Sequence, residues 1–277
     1  MSIITISRGS YSRGKEVAEK LSAKLNYECL SRDVVLEACK EFNIPEIKLV
    51  RALHDSPTVL ERFRHGKERY LSFFNYALLK HLQNDNIVYH GLAGHYFLQN
   101  IPHVFKVRII ADMEDRVKEE MKRENISHQE ALFILKKDDE ERRKWGVHIH
   151  GVDPWDSRLY DMVLHINALT VDDVVQILYE TIKKPNFATT DESKAIIDNL
   201  TRNAKVQSIL VNFSPKVRTV IKDRKVYISH AVDSLKTDKD VRKRIEEAIK
   251  DLDGIDEVIF NEPLIPKRDY INPYHNL

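Results

Sequence analysis

Apolar and polar positions along this chain follow two periods that take turns, one suited to strands and one to helices. Ile3-Ile4-Thr5-Ile6 is a β-branched run of strand character, whereas Val17, Leu21 and Leu25 fall on one stripe of an amphipathic helix. A second helix is expected from Asp33 to Glu41, ending before Asn43-Ile44-Pro45, and a long one over residues 57–83. The latter would carry Leu60, Phe63, Tyr70, Phe73, Phe74, Ala77 and Leu78 on its apolar side. Ile87-Val88-Tyr89 reads as a buried strand, Val104 to Ala111 as another, and Met113 to Glu124 as a helix. Ser127-His128-Gln129-Glu130 is a capping-box signature that opens a helix to about Trp145. Met162 to Ile166 is a strand, and Thr170-Val171-Asp172-Asp173 caps a helix reaching Lys184. Such alternation predicts an α/β domain of three layers, with a mainly parallel sheet between helices.

Lys183-Lys184-Pro185-Asn186 breaks the pattern, and a linker is expected there. The first domain is thus placed at residues 1–185, a small α+β domain at 192–264 and an extended tail at 265–277. In the small domain the pattern reads helix (about 192–203), strand (217–221), turn (222–224), strand (226–231), helix (238–252) and strand (257–260), with Asp253-Gly254 as a helix stop. Hydrophobic residues at 42% and charged residues at 31% describe a globular protein with ample core material. The 44 basic and 43 acidic residues nearly cancel, so no bulk field draws in nucleic acid, and neither nucleic acid nor a membrane is an expected partner. No apolar run approaches the length of a membrane span. Cys29 and Cys39 alone make a disulfide scaffold an unlikely framework for 277 residues, and the chain enters its first strand directly; a cytoplasmic location is the expectation.

The chemistry concentrates where the first strand ends. Gly9 and Gly14-Lys15 bracket Ser10, Tyr11, Ser12 and Arg13, the spacing of a phosphate-binding loop (P-loop) that opens a helix. Backbone amides would receive phosphate oxygens there and Lys15 would add a mobile charge. Glu16 stands where a Ser or Thr hydroxyl usually holds Mg²⁺. The same letters also fit a plain strand-to-helix turn with an exposed lysine. Lys136 to Lys144 is dense in charge and includes Asp139, Arg142 and Arg143 on a helix: either mobile arginines above the loop, or a solvated face laced with ion pairs. His90-Gly91-Leu92-Ala93-Gly94-His95 follows a predicted strand; its small residues allow close approach to a ligand, or serve packing alone. His148-Ile149-His150 lacks partner ligands at recognisable spacing, and no metal-ligating residue is assigned.

In this order, the first ~185 residues resemble the cytidylate kinase-like family of P-loop proteins. The resemblance rests on Ile4-Thr5-Ile6-Ser7-Arg8, Glu16-Val17-Ala18-Glu19-Lys20-Leu21, Arg32-Asp33, Leu60-Glu61-Arg62-Phe63 and Val88-Tyr89-His90-Gly91. Further along it rests on Val107 to Ala111, Asp115-Arg116, Lys137 to Arg142 and Leu159 to Leu164. The resemblance implies a nucleoside-monophosphate-kinase fold that transfers the γ-phosphate of ATP, as its Mg²⁺ complex, to a nucleotide such as CMP. Carried over residue by residue, Ser10 to Lys15 would hold ATP phosphates, with Glu16 beside them. Arg142 and Arg143 would be lid arginines supported by Asp139 and Arg116. Arg8, Arg32, Arg62, His90, His95, Asp139 and Asp161 would lie on the acceptor side. Expected partners are a nucleoside triphosphate and a small phosphorylated or hydroxyl-bearing acceptor, with a homo-oligomer left open. Glu16, Ser31 (usually acidic) and Leu92 (usually Arg) depart from the pattern. They leave the acceptor open and motivate a second reading, a catalytically inactive nucleotide sensor that signals through the small domain. That domain resembles a BON-type module, which implies ligand or partner binding.

Overall fold

The computed structural model describes residues 2–10, 12–31, 33–54, 67–91, 93–214, 217–229, 239–250 and 252–260. The chain forms two compact units, Met1–Thr201 and Arg202–Leu277. The first is built on a five-stranded, all-parallel sheet in the order β2-β3-β1-β4-β5. Its strands are β1 (Ile3–Arg8), β2 (Glu28–Leu30), β3 (Ile87–Tyr89), β4 (Val104–Ala111) and β5 (Met162–Ile166). The helices between them are α1 (Gly14–Leu25), α2 (Asp33–Glu41), α3 (Glu46–His54), α4 (Lys67–Leu82), α5 (Gly94–Phe97), α6 (Met113–Glu124), α7 (His128–His150) and α8 (Val171–Ile182).

The central strand explains the layering. Ile4 and Ile6 of β1 face one way and join Val107 and Ile109 of β4, Val17 and Leu21 of α1, and Val174 and Leu178 of α8 in a single core. Ile3, Ile87 and Tyr89 are equally buried. A strand covered on both faces reads as a near-continuous apolar run, as β1 does. Because all five strands are parallel, the segments after β1, β3 and β4 emerge at one edge, where ligands of such sheets bind.

Several boundaries differ from the sequence expectation for physical reasons. The long helix is described from Lys67 to Leu82; residues 57–66 lie outside the described residues. Helix α7 continues past Trp145 to His150, because Trp145 and Gly146 are buried and the chain leaves the helix only at Gly151, at φ 68°. Strand β2 and helix α3 were not expected. Residues 185–201 stay with the first unit: a short 3₁₀ turn at Pro185–Phe187 lays Phe187 against Phe105, ring centroids 4.7 Å apart.

The second unit takes the later residues of α9 (Asp191–Leu210), then β6 (Arg218–Lys222), β7 (Lys225–Ser229), α10 (Lys239–Ile249) and β8 (Glu257–Phe260). β6 and β7 form an antiparallel hairpin through Asp223 and Arg224, both at positive φ, and β8 adds parallel to β7. Val206, Leu210, Ile221, Ile228, Ile245 and Ile249 make its own core. The expected tail lies outside the described residues. No described helix is long and apolar enough to cross a membrane.

Candidate functional site

The loop after β1 is folded tightly on itself. Ser12 donates its hydroxyl to the Gly9 carbonyl at 3.0 Å, with its amide 3.4 Å from the same oxygen. Arg13 sits at φ 61°, and Gly14 then starts α1 where a Cβ would lie 2.8 Å from the Cβ of Arg8. Glycine is required there to let the helix begin beside β1. The first amides of α1 have no helical partner, and the helix dipole favours an anion at that end. Lys15 is largely solvent-exposed, 3.6 Å from Glu19. Tyr11 lies outside the described residues.

Glu16 is already engaged. One carboxylate oxygen accepts from Arg13 at 2.9 and 3.1 Å, and the other lies 3.3 Å from Lys20. Hydrogen bonds that Lys20 donates to Asp172 and Glu16 raise its pKa, so that cation stays charged. The position that usually offers Mg²⁺ a hydroxyl is therefore a carboxylate neutralised by two side chains.

Ser10 and α6–α7 are drawn together by one buried arginine. Arg116 donates its Nε to the Ser10 carbonyl at 2.7 Å and both terminal nitrogens to Asp139, at 2.7 and 2.9 Å. This bidentate pair is largely shielded from solvent. The Ser10 hydroxyl donates to Asp138 at 3.2 Å. The loop, Lys15, Arg13, Glu16, Arg8, Arg142, Asp138 and Glu120 together line an open cavity.

A second cavity adjoins it, sharing Arg8 and Arg142. Its walls include Ser7, Arg8, His95, Arg108, Asp139, Arg142, Trp145 and Trp155. Tyr160 fastens one side, donating to the Pro154 carbonyl at 2.9 Å and lying 3.2 Å from the Ser7 hydroxyl; Arg108 also donates to Pro154. His95 is buried against the rings of Tyr96 and Tyr160, with centroids 3.9 and 5.1 Å away. Burial first, then the charges of His150 and Arg108, lower its pKa to about 3, so it is a neutral imidazole. Its Nε2 has no hydrogen-bond partner among the described residues. Gly91 must be glycine, since a Cβ there would lie 2.1 Å from the Tyr89 hydroxyl.

Of the residues singled out from sequence, Ser10, Arg13, Lys15 and Glu16 meet in the first cavity, while His95 and Asp139 line the second. Arg8 and Arg142 line both. Ser12 and Gly14 shape the loop. His90 is buried after β3 but lines neither cavity; burial, then Arg8, lower its pKa to about 4. Arg143 pairs with Asp153 at 2.7 Å and lies over the Trp155 ring at 4.8 Å, lining neither cavity. Asp161 is committed to β4, accepting from the Lys106 amide at 2.8 Å and pairing with its ammonium at 3.1 Å. Arg32, Arg62 and Leu92 lie outside the described residues. His148 is exposed, while His150 stacks on Tyr96 at 4.2 Å. Among the described residues, no group of three or more His, Cys, Asp or Glu side chains is placed to hold a metal ion.

Arg108, Trp145, Trp155, Asp138 and Glu120 escaped the sequence reading as site residues. Trp145 and Trp155 are the chain's two tryptophans, and their closeness in sequence to Arg142 and Arg143 was a signal available for both.

The model of the cytidylate kinase-like family matches residues 3–168 of this chain. A cytidylate kinase from Sulfolobus acidocaldarius is 26% identical over 185 residues, covering 66% of this chain and 96% of the relative. Among solved structures, an uncharacterized protein from Eubacterium ventriosum aligns with a TM-score of 0.51 at 21% identity, covering 66% of this chain and 99% of its own. At that identity the likeness speaks for the fold.

Proposed function

The chain belongs to the cytidylate kinase-like family, and from that premise we propose that its first unit transfers the γ-phosphate of ATP to a nucleoside monophosphate or a similar small acceptor. One observation carries the reading: two cavities, one on the P-loop and one walled by tryptophans, share Arg8 and Arg142 at their junction. Transfer between two bound phosphates requires that junction, because the charge develops between donor and acceptor. The loop amides and Lys15 would hold the donor's phosphates. Arg8 and Arg142 would lie against the transferring group, and the Arg116–Asp139 pair would hold Ser10 in place for it. Trp145, Trp155 and neutral His95 suit a flat acceptor with hydrogen-bonding edges. Mg²⁺, when bound with ATP, neutralises the charge of the β- and γ-phosphates.

CMP is the acceptor to try first, because the Sulfolobus acidocaldarius relative is a cytidylate kinase. Arg142→Ala in a coupled ADP-release assay is expected to lower kcat by about 10²-fold or more. Unchanged turnover would remove Arg142 from the mechanism. The clamped state of Glu16 supports a second reading, a nucleotide sensor without turnover; tight ATP binding with no transfer to any acceptor would favour it. For the second unit we propose a BON-like ligand- or partner-binding module, on its helix–strand–strand–helix–strand order.

A further inference from the structure

The first cavity is lined by a buried glutamate, one of whose carboxylate oxygens has no hydrogen-bond partner among the described residues. Glu120, on α6, is only 4% exposed, and its Oε2 is sealed from solvent with no hydrogen-bond partner among the described residues. The cation one helical turn before it is turned elsewhere: Arg116 gives one N–H from each of its three nitrogens to Ser10 or Asp139, and none of these bonds reaches Glu120. A carboxylate removed from water without a cation or donor is costly, and such groups persist where a positive partner arrives later. Glu120 lines the same cavity as Asp138, whose carboxylate already holds the Ser10 hydroxyl. The Arg116 clamp explains the convergence: it ties α6 and α7 to the loop, and Glu120 and Asp138 are its neighbours on those two helices.

We infer that Glu120 and Asp138 form the protein's half of a divalent-cation site, completed by nucleotide phosphates. The inference rests on the nucleotide-binding reading above. Magnesium takes few protein ligands, commonly one or two carboxylates plus phosphate oxygens and water. Such a site accounts for the chemistry at Glu16. With that carboxylate held between Arg13 and Lys20, the metal role passes from the start of α1 to the opposite wall of the cavity.

The test uses Mn²⁺ as a paramagnetic probe on the full chain, titrated by electron paramagnetic resonance with a non-hydrolysable ATP analogue present. Stabilisation by ATP in EDTA is measured in parallel. Glu120→Gln and Asp138→Asn should each weaken protein-bound Mn²⁺ at least tenfold, while the metal-free ATP shift reports nucleotide binding on its own. Asp115→Asn, which removes the same charge from an exposed position on α6, should change neither. Equal Mn²⁺ affinity in wild type and Glu120→Gln, with the EDTA shift intact, overturns the metal site alone. So does a Glu120→Gln variant that keeps Mn²⁺ but loses metal-free ATP binding, because Glu120 would then be the partner of a lysine or arginine. Absence of both the EDTA shift and bound Mn²⁺ removes the nucleotide reading and the metal site together.

Discussion

At the scale of single residues, Arg116 does more than its place in the sequence suggests. It joins the Ser10 carbonyl to Asp139 through three hydrogen bonds in a largely buried pair. Arg116→Met strands the Asp139 carboxylate and is expected to lower stability by about 3–5 kcal/mol, read from urea unfolding. Arg116→Met combined with Asp139→Leu should recover much of that loss; a single-variant loss under about 1 kcal/mol would show the pair to be dispensable. His95 gives the fold a pH dependence whose sign is fixed by burial. An unfolded histidine gains its proton near pH 6.5, whereas His95 in the folded chain does so only at about 3. Between those values the unfolded state binds more protons, so stability falls as the pH drops below 6.5, by up to about 1.4 kcal/mol per pH unit. Urea midpoints between pH 7 and 5 should fall less steeply in His95→Gln; parallel slopes would count against a buried neutral imidazole. The loop and the dense charges of residues 136–144 were legible because their spacing is local. The partner of each charge was not: Arg143 turns to Asp153 beyond the end of its own helix, and Asp161 to Lys106 on a strand 55 residues earlier.

At the scale of elements, legibility followed the strength of local signals. The Ser127–Glu130 and Thr170–Asp173 capping boxes are both present as the sequence implied, with reciprocal backbone bonds. Ser127→Ala and Thr170→Ala should each cost about 1 kcal/mol in thermal or urea unfolding, and a neutral result at both would contradict the caps. Strand β2 is three residues, Glu-Cys-Leu, with no alternation to announce it; it exists because its backbone pairs with β3. Propensity is a weak guide where sheet pairing decides. The end of α7 was misjudged for a related reason. Gly146, just past the expected end, lies within the helix as a packing position, since a Cβ there would meet the Tyr96 hydroxyl at 2.2 Å.

At the scale of the whole molecule, two separate cores divide the labour. Both cavities belong to the first unit, and the second has its own apolar cluster. Calorimetry should therefore show an ATP-dependent rise in the transition of the first unit by mass action, with the transition of the second unmoved. A uniform shift of all unfolding would mean the two units melt as one. The alternation of strand and helix made the parallel sheet legible, but the second cavity was not, because Ser7, His95, Arg108, Trp145 and Trp155 come together only when five strands and α7 are assembled.

Phosphorus NMR of the full chain with Mg-ATP and a panel of nucleoside monophosphates, beginning with CMP, tests the phosphotransferase reading most directly. The predicted result is a new nucleoside diphosphate appearing in step with ADP, slowed by about 10²-fold or more in Lys15→Ala. Unchanged ATP across the panel, or equal rates in wild type and Lys15→Ala, would contradict it.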